Sequence, residues 1–244
     1  MAKPMIAEST VVDIEEQVYA DALAVPHESA EELTSRRGET TYYDTLLWRL
    51  RSRMDAETTG GYVIAVTSCA RRSGVSTVAA NLAIRAADHH MAPVLLVDAN
   101  MRYARQHRVF RLKEKQGLAD VLTGNCLPSE AISKTRFDSL DLLPLGSCDR
   151  FERARILAER VELLSKWMRE NYCTIIMDLP DANELRHALL LARKADTALF
   201  VIRAEAVRRS EARRSVAMLH EDGINLGGIV LTRTKTFAPK WLIG

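Results

Sequence analysis

Six short apolar runs constrain the fold of this chain more than any other feature of its sequence. Each run is short enough for a buried strand, and helix-forming stretches separate one run from the next. The runs are Tyr62–Thr67, Val94–Asp98, Leu140–Pro144, Thr174–Asp178, Thr197–Ile202 and Gly228–Leu231. Apolar strands that alternate with helices are typical of a parallel sheet covered by helices on both faces. We therefore predict an α/β fold, a three-layer, doubly wound domain with a mainly parallel sheet.

Length and composition bound the domain organisation. The chain has 244 residues, of which 47% are apolar, and this is sufficient for one large α/β domain or two small ones. Residues 1–40 contain Glu-rich and Ser-rich stretches, and we expect them to form a partly disordered leader. Residues 41–244 are expected to form the folded domain, which begins with a helix at Tyr42–Arg53.

The charge and cysteine content exclude several classes of protein. The 34 basic and 32 acidic residues give a net charge of +2, which argues against a bulk nucleic-acid binder. The four cysteines include no CxxC pair, so neither a zinc ribbon nor a thioredoxin-like site is indicated, and free thiols suit a reducing cytosol. No apolar run approaches the ~18–20 residues that a membrane-spanning helix requires.

The segment Tyr62–Arg85 places a strand, a polar loop and a helix in the order that a phosphate-binding loop requires. In the pattern GxxxxGK[ST], Gly74 fits the second glycine and Ser76 fits the hydroxyl that binds magnesium. The first glycine is replaced by Cys69. The lysine is replaced by Val75, which cannot donate a hydrogen bond to a phosphate. Taken alone, this segment is also consistent with a strand–helix connection that binds no phosphate.

Two of the predicted strands end in a carboxylate. The second strand ends at Asp98 and the fourth at Asp178. Because right-handed crossovers place the loops after parallel strands at one edge of the sheet, the site residues should surround one crevice there. These residues are Gly74, Ser76, Asp98, Arg102 and Asp178. A carboxylate at such a position either binds a metal ion or caps the following turn, and the strands alone leave both possibilities open.

Several ordered motifs from residue 41 to residue 244 resemble the cytoplasmic kinase module of bacterial tyrosine autokinases. This family is the capsule and exopolysaccharide branch of the MinD/ParA-like P-loop proteins. Val94–His107 resembles the family stretch VLLIDADLRRPxxH, and Gly117–Gly124 matches GLxDVLTG. The strand that ends at Asp178 resembles VIIDTPP, and Leu189–Asp196 matches ALLLARxAD. Further similarity lies at Val66–Ser68, Ser76–Ala83 and Pro239–Leu242.

This resemblance implies a P-loop NTPase fold of the MinD/ParA-like type, with ATP and Mg²⁺ as cofactors. It also assigns candidate roles to individual residues. The nucleotide-binding candidates are Gly74, Ser76, Thr77 and Asp178; the magnesium-binding candidates are Ser76, Asp98 and Asp178; and the catalytic candidates are Asp98 and Arg102.

Some family positions are altered in this chain. Val75 replaces the catalytic lysine, and Asn100 replaces the second aspartate of the Walker A′ motif, which the family uses in catalysis. The other departures are Ala70–Ser73 in place of a Pro-Gly-Glu stretch, Asp181 in place of a Walker B proline, Thr232 in place of an asparagine that faces adenine, Thr45 and Trp48 in the ring-forming motif ExxRxLR, and a last tyrosine at Tyr172 where the family has a tyrosine-rich C-terminal tail. Together these departures predict that nucleotide binding and catalysis are weakened or lost.

The resemblance therefore predicts a cytoplasmic, catalytically degenerate subunit of exopolysaccharide, capsule or holdfast-type polysaccharide biosynthesis and export. It implies a membrane-anchored chain-length or co-polymerase protein as partner, through which the chain would be peripheral to the inner membrane. It also implies a homo-oligomer, and no nucleic-acid partner is expected. The alternatives are an active tyrosine autokinase, in which Arg71 or Arg72 would take over the role of the lysine, and a ParA/MinD-like positioning ATPase.

Overall fold

The computed structural model describes residues 23–25, 41–52, 60–89, 91, 93–113, 115–146 and 158–233. Most of the predicted leader and the similarity at Pro239–Leu242 lie outside the described residues. Within the predicted leader, Leu23–Val25 forms a strand that pairs in parallel with Val230–Thr232. The sequence did not predict this strand.

The described residues form alternating strands and helices, as the apolar runs predict. The strands are β1 (Leu23–Val25), β2 (Tyr62–Ser68), β3 (Val94–Asp98), β4 (Ser133–Lys134), β5 (Leu140–Leu143), β6 (Thr174–Asp178), β7 (Thr197–Arg203) and β8 (Leu226–Thr232). The helices are α1 (Thr41–Arg51), α2 (Val75–Asp88), α3 (Gln106–Val109), α4 (Leu118–Thr123), α5 (Pro128–Ala131), α6 (Ala158–Asn171), α7 (Leu189–Ala192) and α8 (Arg209–Glu221), with a 3-10 helix at Ala182–His187.

All strands belong to one sheet, in the order β1-β8-β7-β2-β6-β3-β5-β4. Every neighbouring pair is parallel except β4 and β5, which are antiparallel. The predicted mainly parallel α/β fold is therefore confirmed. Strand β2 lies between β6 and β7, so the loop that follows it opens near the middle of the sheet.

Helices cover both faces of the sheet and make the predicted three layers. Successive side chains of a strand point to opposite faces, and in β2 both sets are apolar and fully buried. Val63 and Ala65 pack in the layer that holds α4, α6 and α8. Ile64 and Val66 pack in the layer that holds α1 and α2. Burial on both faces explains why these strands are continuous apolar runs rather than alternating ones.

Three local features differ from the sequence expectation. Helix α2 begins at Val75, three residues before the predicted start, because Gly74 turns the chain directly into the helix. The single helix expected at Leu185–Arg193 is instead a 3-10 helix followed by α7, and the two are separated at Ala188, whose ψ is 0°. Strand β4 was not expected, since two residues are too few to show a periodic pattern.

None of the helices in the described part of the chain combines the length and the apolar character that crossing a lipid bilayer requires.

We expect Leu82→Ala to lower the free energy of unfolding by about 2–5 kcal/mol, because the removed side chain leaves a cavity between α2 and the sheet. Leu82 has no exposed surface. Leu163 on α6 is 59% exposed, and Leu163→Ala is the matched control, with an expected change below about 0.5 kcal/mol. Urea unfolding, monitored by circular dichroism, measures the free energy of unfolding of both variants. Equal losses in the two variants would contradict the described packing of α2.

Candidate functional site

The loop between β2 and α2 wraps the N-terminus of a long helix. Gly74, the residue before α2, has φ 97° and ψ 13°, a left-handed conformation that side chains disfavour. The nearest atom to an added Cβ would be Thr232 Cγ2 at 3.5 Å, so backbone conformation rather than lack of space favours glycine here. The Thr232 hydroxyl donates to the carbonyl oxygen of Ser73 at 2.7 Å and ties the loop to the end of β8.

A cleft of about 370 Å³ opens at the carboxyl edge of the sheet. Its walls come from the loop after β2, the loop after β3 and the residues after β6. Five arginines and two acidic residues line it: Arg71, Arg72, Arg102, Arg105 and Arg108 with Asp181 and Glu184. Helix α2 also presents its first backbone amides and the positive end of its dipole to this cleft. The cleft is therefore suited to an anionic ligand such as a phosphate group.

Two side-chain contacts hold the loop after β3 against its neighbours. The guanidinium of Arg71 lies 4.2 Å from the ring centroid of Tyr103, within the range of a cation–π interaction. On the other side, Arg102 Nη1 donates to Glu184 Oε1 at 2.6 Å. The predicted catalytic candidate Arg102 thus lies in the cleft with its side chain paired to Glu184.

Asp98 and Asp178 lie side by side at the ends of adjacent strands, in direct register. Asp98 has no exposed surface and accepts three backbone hydrogen bonds. The amides of Arg105 and Gln106 donate to its Oδ2 at 2.9 Å, and that of Asn100 donates to its Oδ1 at 3.3 Å. Burial raises the pKa of Asp98 to about 6, although these backbone donors act in the opposite direction.

Asp178 is also fully buried, and burial together with the nearby charge of Asp98 raises its pKa to about 7. Its Oδ2 accepts a hydrogen bond of 2.7 Å from the side-chain amide nitrogen of Gln106. Hydrogen bonding from Ser76 also stabilises its ionised form and lowers the pKa. Its Oδ1 has no hydrogen-bond partner among the described residues.

Gln106 is a site residue that sequence reasoning missed. It is fully buried at the start of α3, and its Nε2 also donates to the backbone carbonyl of Ser76 at 3.0 Å. Residue 106 lies 30 positions from Ser76 and 72 from Asp178, so only the fold brings the three together. The family stretch that Val94–His107 resembles specifies no residue type at this position, and no local signal marks it.

The altered family positions adopt structural roles. Val75 is 9% exposed and packs in the apolar layer under α2, so the first residue of that helix offers no cation to the cleft. The side chain of Asn100 accepts a hydrogen bond of 3.1 Å from the backbone amide of Tyr103 and stabilises the turn after β3. The absence of a lysine and of a second carboxylate therefore leaves two positions of the site without charge.

Oxygen ligands are what Mg²⁺ prefers, and part of the predicted set is suited to it. The unpartnered Oδ1 of Asp178 is a buried acceptor that a cation or its water shell would satisfy, and the Ser76 hydroxyl lies at the cleft. Asp98 would first have to release backbone donors, because both of its oxygens are occupied. The described residues contain no group of three or more His, Cys, Asp or Glu side chains that could hold a metal ion. Water molecules or a phosphate ligand would therefore have to complete the coordination.

The structure brings the predicted site residues together. Gly74, Ser76, Thr77 and Arg102 line the cleft, and Asp98 and Asp178 lie buried at adjacent strand ends of the same sheet edge. The predicted convergence of the loops is thus confirmed. The binding and catalytic roles of these residues remain predictions.

Curated relatives that share sequence with this chain include two bacterial proteins. The putative tyrosine-protein kinase CapB of Staphylococcus aureus is 27% identical over 168 residues, which is 69% of this chain and 73% of CapB. The tyrosine-protein kinase Wzc of Salmonella typhimurium is 27% identical over 169 residues, 69% of this chain but 23% of Wzc. The chain thus matches less than a quarter of the length of Wzc. No protein-family model matches the chain.

Solved structures with the same fold include a kinase domain and a cell-division protein. The kinase domain of Escherichia coli tyrosine kinase ETK has a TM-score of 0.77 at 20% identity, covering 92% of this chain and 96% of that domain. The septum site-determining protein MinD of Pyrococcus horikoshii, solved with Mg-ADP, has a TM-score of 0.61 at 22% identity, covering 75% of each chain.

The sheet order, the loop before α2 and these structural neighbours define a MinD-like P-loop NTPase fold. The homologues of the chain are bacterial tyrosine-protein kinases, and its fold is that of a solved kinase domain from such a protein.

The raised pKa of Asp178 predicts that folding stability falls as pH rises. Its pKa increases from an ordinary value of 3.8 to about 7 in the folded state. Between about pH 4 and pH 7, the unfolded state releases a proton that the folded state retains, so stability is lost across this window. Asp178→Asn keeps an oxygen acceptor for Gln106 and removes the titrating group.

We expect Asp178→Asn to melt above the wild type at about pH 8 in EDTA, with a difference that shrinks towards about pH 4. Thermal melts between about pH 4 and about pH 8 measure this difference in melting temperature. Asp88→Asn, which changes an exposed carboxylate at the end of α2, is the control and should leave the pH profile unchanged. Parallel profiles for Asp178→Asn and the wild type would contradict the expected titration.

Proposed function

We propose that this chain is a catalytically degenerate, autokinase-like subunit that acts in the biosynthesis and export of an exopolysaccharide or capsule. The observation that carries the proposal is Val75, an apolar residue packed into the core at the first position of α2. Catalysis of phosphoryl transfer depends mostly on positioning and on charge stabilisation. Loss of one aimed donor typically lowers the rate ~100-fold or more, and the exchange at Asn100 removes a carboxylate as well.

The remaining residues support anion binding better than chemistry. Gly74, Ser76 and Thr77 present backbone amides at the start of α2, and the arginines of the cleft supply positive charge. Ser76 and Asp178 would hold a magnesium ion, which supplies charge neutralisation on phosphate oxygens when bound. We therefore propose weak nucleotide binding with little or no turnover.

Three of the tyrosines are unsuited to accept a phosphate in the folded chain. Tyr43, Tyr62 and Tyr172 are buried. The Tyr172 hydroxyl also donates to Asp141 at 3.0 Å, so it would have to leave the core before a phosphate could reach it. Among the described residues, Tyr42 and Tyr103 are the exposed tyrosines, at 42% and 45%.

The proposed partner is a membrane-anchored chain-length or co-polymerase protein, and the proposed role is regulation of polymerisation or chain length. Through that partner the chain would be a cytoplasmic protein peripheral to the inner membrane, where it would also form a homo-oligomer. These proposals rest on the similarity of the motifs at Val94–His107, Gly117–Gly124 and Leu189–Asp196 to those of the autokinase family.

An active tyrosine autokinase is the second candidate function. The observation that favours it is the arginine content of the cleft, since Arg71 and Arg72 lie in the same loop that precedes Val75. A guanidinium can replace the charge of a lysine, though with a different geometry. The likeness to MinD is a likeness of fold, and a positioning ATPase has no further observation in its favour.

We expect the purified protein to show little or no ATP hydrolysis and no time-dependent phosphotyrosine signal, because Val75 and Asn100 leave the γ-phosphate charge without partners. Val75→Lys should raise nucleotide affinity more than turnover, since Asn100 still lacks a carboxylate. Calorimetry with ATP and Mg²⁺, beside a phosphotyrosine blot, measures both.

Val75→Met is the matched control, because methionine has a similar reach to lysine but no charge. It should leave nucleotide affinity at the wild-type level. Micromolar ATP binding by the wild type, together with phosphotyrosine that accumulates with time, would overturn the degenerate assignment and favour the active enzyme.

A further inference from the structure

Gln106 donates hydrogen bonds to each of the three residues at which a magnesium ion is expected. Its backbone amide donates to Asp98 Oδ2 at 2.9 Å. Its side-chain nitrogen donates to Asp178 Oδ2 at 2.7 Å and to the backbone carbonyl of Ser76 at 3.0 Å. The Gln106 side chain has two partners, the Asp178 carboxylate and the Ser76 backbone carbonyl, and both are acceptors. The amide nitrogen rather than the amide oxygen must therefore face them.

These hydrogen-bond donors partly stabilise the negative charge of the two carboxylates, as a bound cation would. Asp178 is a buried carboxylate beside a second buried carboxylate, and Gln106 donates a side-chain hydrogen bond to its Oδ2. A neutral amide brings no net charge, however, and Gln106 Oε1 and Asp178 Oδ1 stay without partners among the described residues. A divalent cation that bound both carboxylate oxygens of Asp178 would have to displace the amide from Oδ2. A hydrogen bond to a charged group is among the stronger ones in proteins.

We infer that Gln106 determines the divalent-cation affinity of the cleft, because its side-chain amide competes with the cation for Asp178 Oδ2 and so opposes binding through both carboxylate oxygens. While Gln106 is docked, the arginines of the cleft rather than a metal ion offset the charge of a phosphate ligand. The inference rests on the proposed function only in placing the cation at Ser76 and Asp178. Gln106 acts here as a positioning residue, since it touches the expected cation ligands and not the phosphate.

Direct titration of Mn²⁺ without nucleotide tests this inference. Gln106→Met keeps the side-chain volume but removes both donors, so we expect the variant to bind Mn²⁺ at least about tenfold more tightly than the wild type. Electron paramagnetic resonance of free Mn²⁺ gives the dissociation constant for the full chain. Equal or weaker binding by Gln106→Met than by the wild type would overturn the inference.

Asn81→Leu is the matched control for the loss of a buried amide. Asn81 has no exposed surface and an unpartnered Oδ1, as Gln106 has an unpartnered Oε1, but its nitrogen donates to the Tyr43 hydroxyl between α1 and α2. Its removal should leave Mn²⁺ affinity unchanged. A similar gain in both variants would show that general loosening of the core, and not Gln106, controls access to Asp178, and would overturn the inference.

Gln106→Glu separates competition from structural damage. The substitution replaces a donor with an acceptor and adds a carboxylate, so Mn²⁺ should raise the melting temperature of this variant more than that of the wild type. A purely structural role for Gln106 predicts no such metal-dependent gain. Absence of the gain in folded Gln106→Glu contradicts the competition.

The wild-type protein provides a test that does not depend on the folding of any variant. We expect its affinity for ADP to differ by less than about threefold between EDTA and excess Mg²⁺, because the docked amide occupies Asp178 Oδ2 and weakens binding of the metal. An enhancement of tenfold or more by Mg²⁺ would overturn the inference. If the wild type binds no nucleotide, the proposed nucleotide binding fails, whereas the Mn²⁺ titrations still decide the role of Gln106.

Discussion

Two carboxylates buried at adjacent strand ends govern the arrangement of the cleft. Asp98 and Asp178 have no exposed surface, and charges placed there have lost the stabilisation that water would give them. The loop after β3 compensates by turning the amides of Asn100, Arg105 and Gln106 onto Asp98. The same turn fixes the intervening residues, so the positions of Arg102 and Arg105 in the cleft follow from the need to satisfy these carboxylates.

A phosphate-binding loop that catalyses phosphoryl transfer combines two tasks. Holding an anion requires backbone amides and positive charge, which the start of α2 and the surrounding arginines provide. Transferring a phosphoryl group requires charge placed where the transition state develops it. Val75 and Asn100 place no charge in the cleft, because one packs in the core and the other accepts a hydrogen bond within a turn. The fold therefore does not depend on a charged side chain at either position, since both residues make structural contacts of their own.

The sequence predicts the sheet and its cleft well, because burial on both faces makes each central strand a continuous apolar run that ends in a polar loop. The positions of Asp98 and Asp178 followed from those strand ends. The role of Gln106 could not be predicted, since its contacts join residues that are far apart in the chain. Strands β1 and β4 have three and two residues, too few to produce a recognisable pattern.

The edges of the sheet limit how copies of this chain can associate. The outermost strands among the described residues are β1 and β4, and each is too short to offer more than a few free backbone groups to another strand. Strand β4 also runs antiparallel to its neighbour, which interrupts the parallel ladder at that side. Short edge strands are a common protection against edge-to-edge pairing. Copies of this protein would accordingly contact one another through helices and loops. The sheet of one subunit would then end at its own edge strands and would not continue into the sheet of the next subunit.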